Sequence, residues 1–339
     1  MMKTLRLDNE QAENAFRAIA DDYTVVAPKR CAGRGRFSDT DLTTYETVES
    51  LGEIEFSAKT YFSAKSVLLP IREVMFSFNR GEAEEVRTSM PPTIVFLRAC
   101  DIHALAVLDA MFLEHGGRED CYYARRRENM ICFLLECPGP FDECFCVSMG
   151  TSRTKDYAVF IRPEAEGYAA EIMDDRFERY FPFGDRAHVA PRFSEEDPIP
   201  VALPRHVEAS LFADASWKEY SQRCIACGRC NTSCPTCTCF TVQDIPAADD
   251  RDSPTRQRIW SSCQVKDFSL LAGNHDFRLA HGDKMRYRVL HKITDFAKTF
   301  GLPMCVGCGR CDIVCPEYIS MRKCIETINT ICRRGAEVG

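Results

Sequence analysis

The sequence predicts an α+β protein in two parts: a mixed α/β domain over residues 1–204, then a mainly helical domain over residues 205–339. Three observations predict it. Short β-rich runs alternate with helical spacing in the first part. Pro191, Pro198, Pro200 and Pro204 then crowd around Ser194, Glu195, Glu196 and Asp197, the composition of a loop or linker. Beyond them β-type alternation is scarce and one cysteine motif recurs.

Taken in order, Asp8 to Ala20 carries Ala12, Ala15, Phe16 and Ile19 at helical spacing. Thr24-Val25-Val26 reads as a strand, and so does Thr93 to Leu97, which helical spacing from Ile102 to Leu113 follows. Met130 to Leu135 is a buried-strand candidate, and Tyr157 to Ile161 with Tyr168 to Ile172 reads as a hairpin. In the second part Arg205 to Leu211, Arg258 to Leu271, Lys284 to Phe300 and Ile319 to Ile331 are expected to be helices.

Composition narrows the class of function. A formal net charge of −7 argues against nucleic acid as the main partner, because a phosphate-binding surface needs a basic excess. The most apolar stretch, Ile94 to Leu113, is interrupted by Arg98, Asp101, His103 and Asp109, so no membrane span is expected. The first residues lack the apolar run and small-residue cleavage site of a signal peptide. A reducing cytoplasm is the expected setting, and there the 20 cysteines read as metal ligands sooner than as disulfides.

The motif Cys-x-x-Cys-Gly-Arg-Cys-x-x-x-Cys-Pro occupies Cys224 to Pro235 and again Cys305 to Pro316. A cubane iron–sulfur cluster takes one thiolate at each of four corners. Three cysteines spaced by two residues wrap a loop around three corners, and a distant Cys-Pro closes the fourth, in two-cluster ferredoxins on the other cluster. The spacing therefore assigns Cys224, Cys227, Cys230 and Cys315 to one [4Fe–4S] cluster and Cys305, Cys308, Cys311 and Cys234 to a second. Closure of each motif on its own four cysteines is the alternative linkage. Gly228 and Gly309 supply tight turns, and Pro235 and Pro316 are expected to start helices. Structural zinc prefers two separated Cys-x-x-Cys pairs to an overlapped triplet, and a thioredoxin-like site needs a single Cys-x-x-Cys.

Other cysteines are less determined. Thr236 to Met304 separates the two motifs and holds Cys237, Cys239 and Cys263, which spacing leaves open between a further metal site, a shield for the clusters and plain buried thiols, the last being favoured. Cys137, Cys144 and Cys146 lie on a Pro/Gly-containing loop after an apolar strand, and Cys100 follows the strand near Ile94. If those strands are neighbours, the four admit a third [4Fe–4S] site; a zinc site or four buried thiols are the alternatives. Cys31, Cys121, Cys132, Cys324 and Cys332 fit no ligand spacing.

Organic-cofactor signatures are missing. Gly33-Arg34-Gly35 has Ser38 where a dinucleotide fingerprint would place its third glycine, and no P-loop or nucleophile elbow is present. No catalytic residue is assigned. The basic run Arg278 to Lys292 reads as a solvated helix face, with a docking surface as the alternative. Clusters without a substrate site describe a carrier of electrons between two partners.

Six segments carry a family resemblance: Gly35 to Asp41 (GRFSDTD), Arg98 to Ile102 (RACDI), Glu143 to Gly150 (ECFCVSMG), Arg223 to Cys230 (RCIACGRC), Cys234 to Cys239 (CPTCTC) and Cys305 to Cys311 (CVGCGRC). Together they resemble the iron–sulfur electron-transfer component of the anaerobic, NADH-dependent sulfite reductases, and the β subunits of cytoplasmic sulfhydrogenases share much of the pattern. The resemblance implies an electron-transfer subunit in a three-subunit oxidoreductase. One partner would carry flavin and a [2Fe–2S] centre and oxidise NADH. The other would carry sirohaem and reduce sulfite to sulfide. It also implies a third cluster, because Cys100, Cys137, Cys144 and Cys146 lie in or beside family-like segments. A sulfhydrogenase or sulfur reductase β subunit is the alternative, and a zinc-stabilised interaction scaffold is the rival from another class.

Overall fold

A computed structural model describes residues 3–35, 37, 39–79, 81–87, 90–204, 207, 209–246 and 253–338. The chain is an α+β protein that divides into two compact units. The first comprises residues 1–64, 89–200 and 306–308, the second residues 65–88, 201–305 and 309–339. Among the described residues no helix is long and apolar enough to cross a membrane.

The first unit is built on an eight-stranded sheet. Its middle is parallel: Thr24–Cys31, Thr93–Leu97, Met130–Leu134 and Val159–Glu164 lie side by side in that order. All five residues of Thr93–Leu97 are buried, as expected of a parallel strand covered on both faces. The edges turn antiparallel, with Leu42–Thr47 beyond Thr24–Cys31 on one side. On the other side Gly167–Ile172, Lys3–Leu7 and the short Asp185–Arg186 follow Val159–Glu164.

Helix Asn9–Asp22 starts where the sequence says it must. The Asp8 carboxylate accepts from Gln11 N at 2.8 Å and the Gln11 side chain accepts from Asp8 N at 3.2 Å, a reciprocal capping box. Ala12, Ala15, Phe16 and Ile19 are its buried face, in one core with Leu5, Val25, Ile94, Phe133 and Val159 of the sheet. Burying a Phe or Ile side chain of this kind stabilises the fold by roughly 1.5–3 kcal/mol.

The second unit carries an antiparallel sheet of four strands, in the order Phe240–Ile245, Thr255–Trp260, Arg72–Asn79 and Glu82–Glu85. A mainly helical second part is therefore not what the structure contains. The expected helix Arg258 to Leu271 begins instead as strand Thr255–Trp260, paired with Arg72–Asn79. Its apolar spacing fits a helix, and of its two partners Phe240–Ile245 is near in sequence while Arg72–Asn79 lies far back, where local reading cannot see it. Helices Trp217–Arg223, His281–Leu290, Phe296–Phe300 and Met321–Val338 surround the motifs. A π-helical stretch, His291–Asp295, joins the second of these to the third. Of the helix expected over Arg205 to Leu211, Arg205, His206 and Glu208 lie outside the described residues, and a 3-10 turn covers Ala209–Ala213.

Candidate iron–sulfur centres

The two motif copies fold alike. Gly228 (φ 74°) and Gly309 (φ 66°) are left-handed, and each is followed by one short helix, Arg229–Thr232 and Arg310–Ile313. A Cβ on Gly228 would meet the Ser262 Cβ at 2.9 Å, so conformation and space both demand glycine there. The helices expected to start at Pro235 and Pro316 do not form; both prolines sit in turns.

Within the second unit, Cys224, Cys227, Cys230 and Cys315 line one cavity, with Gly228, Met285, Arg288 and Cys311 also on its wall. Burial pushes the Cys224 thiol up, and the charges of Cys227 and Cys315 push the same way. Cys311 is pushed well above the ordinary thiol range by burial, with Asp312, Cys234 and Cys305 adding to it. The structure thus brings Cys315 to the first triplet, and Cys234 to Cys305 and Cys311. Cys308 belongs to the segment 306–308, which is part of the first unit.

Three cations are buried among these thiols. Lys292 Nζ donates to Cys234 Sγ at 3.3 Å and to Thr236 Oγ1 at 3.0 Å. Arg288 Nε donates to Asn231 Oδ1 at 3.2 Å, and its other nitrogens reach the Cys230 carbonyl and the Met321 sulfur. Lys65 Nζ donates to the carbonyls of Cys237 (2.8 Å) and Asn231 (3.2 Å) and lies over the Trp260 ring. Among the described residues no carboxylate pairs with any of them. Burial lowers the Lys65 pKa, whereas the surrounding thiols outweigh burial at Arg288 and Lys292 and raise both. The basic run Arg278 to Lys292 is therefore not a solvated face: Lys284, Arg288 and Lys292, four residues apart, all point inward. Their one-face spacing was the available signal, masked by the expectation that charged residues lie outside.

Cys237 and Cys263 are buried and Cys239 is half-buried. Asn231 Nδ2 lies 3.2 Å from Cys263 Sγ and 3.7 Å from Cys239 Sγ, and Gln264 Nε2 lies 3.4 Å from Cys263 Sγ. A hydrogen bond from Cys239, joined by those from Gln264 and Asn231, holds the Cys263 thiol well below its ordinary range.

In the first unit, the strands preceding Cys100 and Cys137 are neighbours, with Leu97 opposite Leu134. Both cysteines therefore emerge at the carboxyl ends of adjacent parallel strands, where open α/β sheets place their ligands. Cys144 and Cys146 follow on a loop tied to Val306–Cys308: Phe145 N donates to Gly307 O at 2.8 Å and Thr151 Oγ1 to Val306 O at 2.7 Å. Asp197 accepts from Val147 N at 2.9 Å and Ser148 N at 2.6 Å and fixes the loop beyond Cys146. Burial pushes the Cys146 thiol up to about 12, with the charges of Cys144, Asp197 and Cys137 adding to the effect. Cys137, Cys144 and Cys146 are thus brought together, while Cys100 packs against Ala104, Val306 and Cys308. Two cations face this group. Arg98, buried, donates to the carbonyls of Glu136, Phe56 and Ala58, and Lys59 Nζ lies 3.3 Å from Cys144 Sγ. Among the described residues no three His, Cys, Asp or Glu side chains stand close enough to grip a single ion; a cubane spreads its thiolates wider than one ion does.

Of the resemblance segments, Arg36 and Ser38 lie outside the described residues. Residues 223–319 match the family model of the 4Fe-4S dicluster domain. Sulfhydrogenase 2 subunit beta of Pyrococcus furiosus is similar to the chain at 29% identity over 346 residues, covering 96% of this chain and 98% of that protein. No solved structure matches the chain. The match and the likeness support an iron–sulfur, electron-transferring subunit of an oxidoreductase.

Proposed function

We propose that this chain relays electrons through [4Fe–4S] clusters inside a multi-subunit, cytoplasmic oxidoreductase of the sulfhydrogenase type, as its β-like subunit. The observation that carries the reading is the set of buried cations whose nearest anionic candidates are thiols. Burying an unpaired cation costs several kcal/mol, so Lys65, Arg288 and Lys292 need negative charge beside them. Cubane clusters with four thiolates are anionic and supply it; protonated thiols do not. The donor set therefore fits the group.

In this reading Cys224, Cys227, Cys230 and Cys315 would hold one cluster, and Cys305, Cys308, Cys311 and Cys234 a second. Cys137, Cys144 and Cys146 would serve a third, with Cys100 as the fourth ligand drawn from the sequence; Arg98 and Lys59 supply its countercharge. When bound, the clusters supply one-electron chemistry. The chain's own part is to place the thiols, exclude water with Met285 and Ile319 on the cavity wall, and fix the local charge. A division near Pro204 goes with this reading, except that residues 65–88 belong to the second unit and residues 306–308 to the first.

The full-length likeness to a sulfhydrogenase subunit moves the weight from a sulfite reductase to a sulfhydrogenase. A second reading, the iron–sulfur component of an anaerobic sulfite reductase with flavin and sirohaem partners, rests on the six segments from Gly35 to Cys311. Anaerobic purification of the complex with its native partners separates the two. Nickel in the co-purifying subunits supports the first and sirohaem the second, whereas zinc without iron or acid-labile sulfide in this chain overturns both.

A further inference from the structure

The widened turn at His291–Asp295 has a local effect that reaches two of the expected ligands. In a regular α-helix Phe296 N would donate to Lys292 O. Here Phe296 N donates to His291 O instead. The Lys292 carbonyl, released from its helix, accepts from Met304 N at 2.9 Å and Cys305 N at 3.1 Å. The side chain of the same residue reaches the other way, with Nζ 3.3 Å from Cys234 Sγ. One residue thus holds the backbone of Cys305 and the sulfur of Cys234. Its other hydrogen-bond partner among the described residues is a hydroxyl, Thr236 Oγ1 at 3.0 Å. π-turns inside helices recur at functional positions, and this one frees a main-chain acceptor at the point of use.

We propose that Lys292 is a positioning residue that sets the reduction potential of one cluster, the one closed by Cys234 and Cys305, leaving the other at its own value. The inference rests on the cluster reading above. A cluster gains negative charge on reduction, and hydrogen bonds to its sulfurs together with nearby positive charge favour the reduced form. Lys292 supplies both at a single ligand. Its counterpart one helical turn earlier, Arg288, turns to the Cys230 carbonyl and Asn231 Oδ1 and so serves the first motif. Both contacts fall in the Cys224 to Pro235 motif, but Cys230 and Cys234 belong to different clusters, so the helix face that carries Arg288 and Lys292 gives each cluster its own hydrogen-bonding cation, a guanidinium on a carbonyl at one and an ammonium on a sulfur at the other. Two clusters in near-identical loops would thereby differ in potential, which gives electron flow a direction.

The test is an electron paramagnetic resonance redox titration of the complete, anaerobically purified complex, with iron determined alongside, for the unmodified protein, Lys292→Gln and Lys292→Arg. Lys292→Gln is expected to keep its iron and move one midpoint to more negative potential while the other stays. Lys292→Arg is expected to restore most of the shift. Equal shifts in the two variants, no shift, or loss of iron from Lys292→Gln overturns the assignment. Should the glutamine variant fail to fold, labelling the unmodified protein with ¹⁵N-lysine replaces it. Nitrogen coupling to one reduced cluster is then expected, and its absence overturns the proposal. An unmodified chain without iron would instead overturn the cluster reading itself.

Discussion

Arg258 Nε donates to Glu73 Oε2 at 3.0 Å, both side chains buried, across 185 residues of sequence. The pair lies where strand Arg72–Asn79 meets strand Thr255–Trp260, with Glu73 and Arg258 in register. It fastens an early segment of the chain to the insert between the two cysteine motifs. Removing one partner of such a pair leaves a buried charge alone. Glu73→Ala is expected to lower stability by about 3–5 kcal/mol, and joint replacement of Glu73 and Arg258 by Leu by less. Chemical denaturation of the two variants would decide it; equal losses would show that the charge pairing is not what matters there.

Crossed ligation can be read from signal loss. Cys315 stands with Cys224 and Cys227 on one cavity wall. Cys315→Ser and Cys227→Ser should therefore remove the same paramagnetic signal, and each should leave about half the dicluster iron. Cys308→Ser should remove the other signal and stop electron flow through the complex. If Cys315→Ser instead removes the signal lost in Cys308→Ser, each motif closes on itself.

Gly307 faces the Cys144–Cys146 loop with φ 65°, and a Cβ there would stand 2.5 Å from Phe145 O. Gly307→Ala therefore meets both a left-handed backbone and an occupied space. A loss of at least about 1–2 kcal/mol is expected, with faster hydrogen exchange at the Phe145 amide, whose bond to Gly307 O is the contact displaced. Unchanged exchange would mean that the loop gives way without cost.

His291 predicts an acid-side weakness. Burial lowers its pKa below the ordinary 6.5, Lys292 and Arg278 push the same way, and Asp295 opposes them. The folded protein therefore binds a proton less readily than the unfolded chain. The His291 contribution is intact above pH 6.5 and erodes as pH falls from there towards the folded value, below which the loss is constant. His291→Gln should flatten that part of the stability–pH curve. A slope unchanged by the substitution would place its origin elsewhere.

Local order was legible in the sequence, and long-range pairing was not. Helix Asp8 to Ala20 announces itself through periodicity and strand Thr93 to Leu97 through its β-rich run, and the structure has them at Asn9–Asp22 and Thr93–Leu97. The hairpin expected from Tyr157 to Ile161 and Tyr168 to Ile172 is likewise found, at Val159–Glu164 and Gly167–Ile172. Strand Thr255–Trp260 escapes because its apolar residues are spaced as in a helix and one of its two partners, Arg72–Asn79, is remote. The same division runs through the candidate site. The motif cysteines are visible because each loop is contiguous, and two copies of the loop reinforce each other. Lys65, Arg288 and Lys292 are invisible as site residues because a buried cation makes sense only beside the thiols that fold onto it. Cys237, Cys239 and Cys263 remain unassigned for the converse reason: Asn231 and Gln264 explain how Cys239 and Cys263 are held, not what they hold.

The order in which the chain visits its two units governs how the protein can be made. Residues 65–88 leave the first unit for the second, and residues 306–308 return to the first almost at the end. A ribosome must pass residue 308 before either unit owns all its parts. On the proposed ligation, cluster delivery must therefore wait until both units have emerged. No single cut frees a working half. A fragment beginning at Val201 would lack Arg72–Asn79 and leave Thr255–Trp260 with a bare edge, a template for aggregation. Grafting the relay onto another enzyme means transplanting both units together.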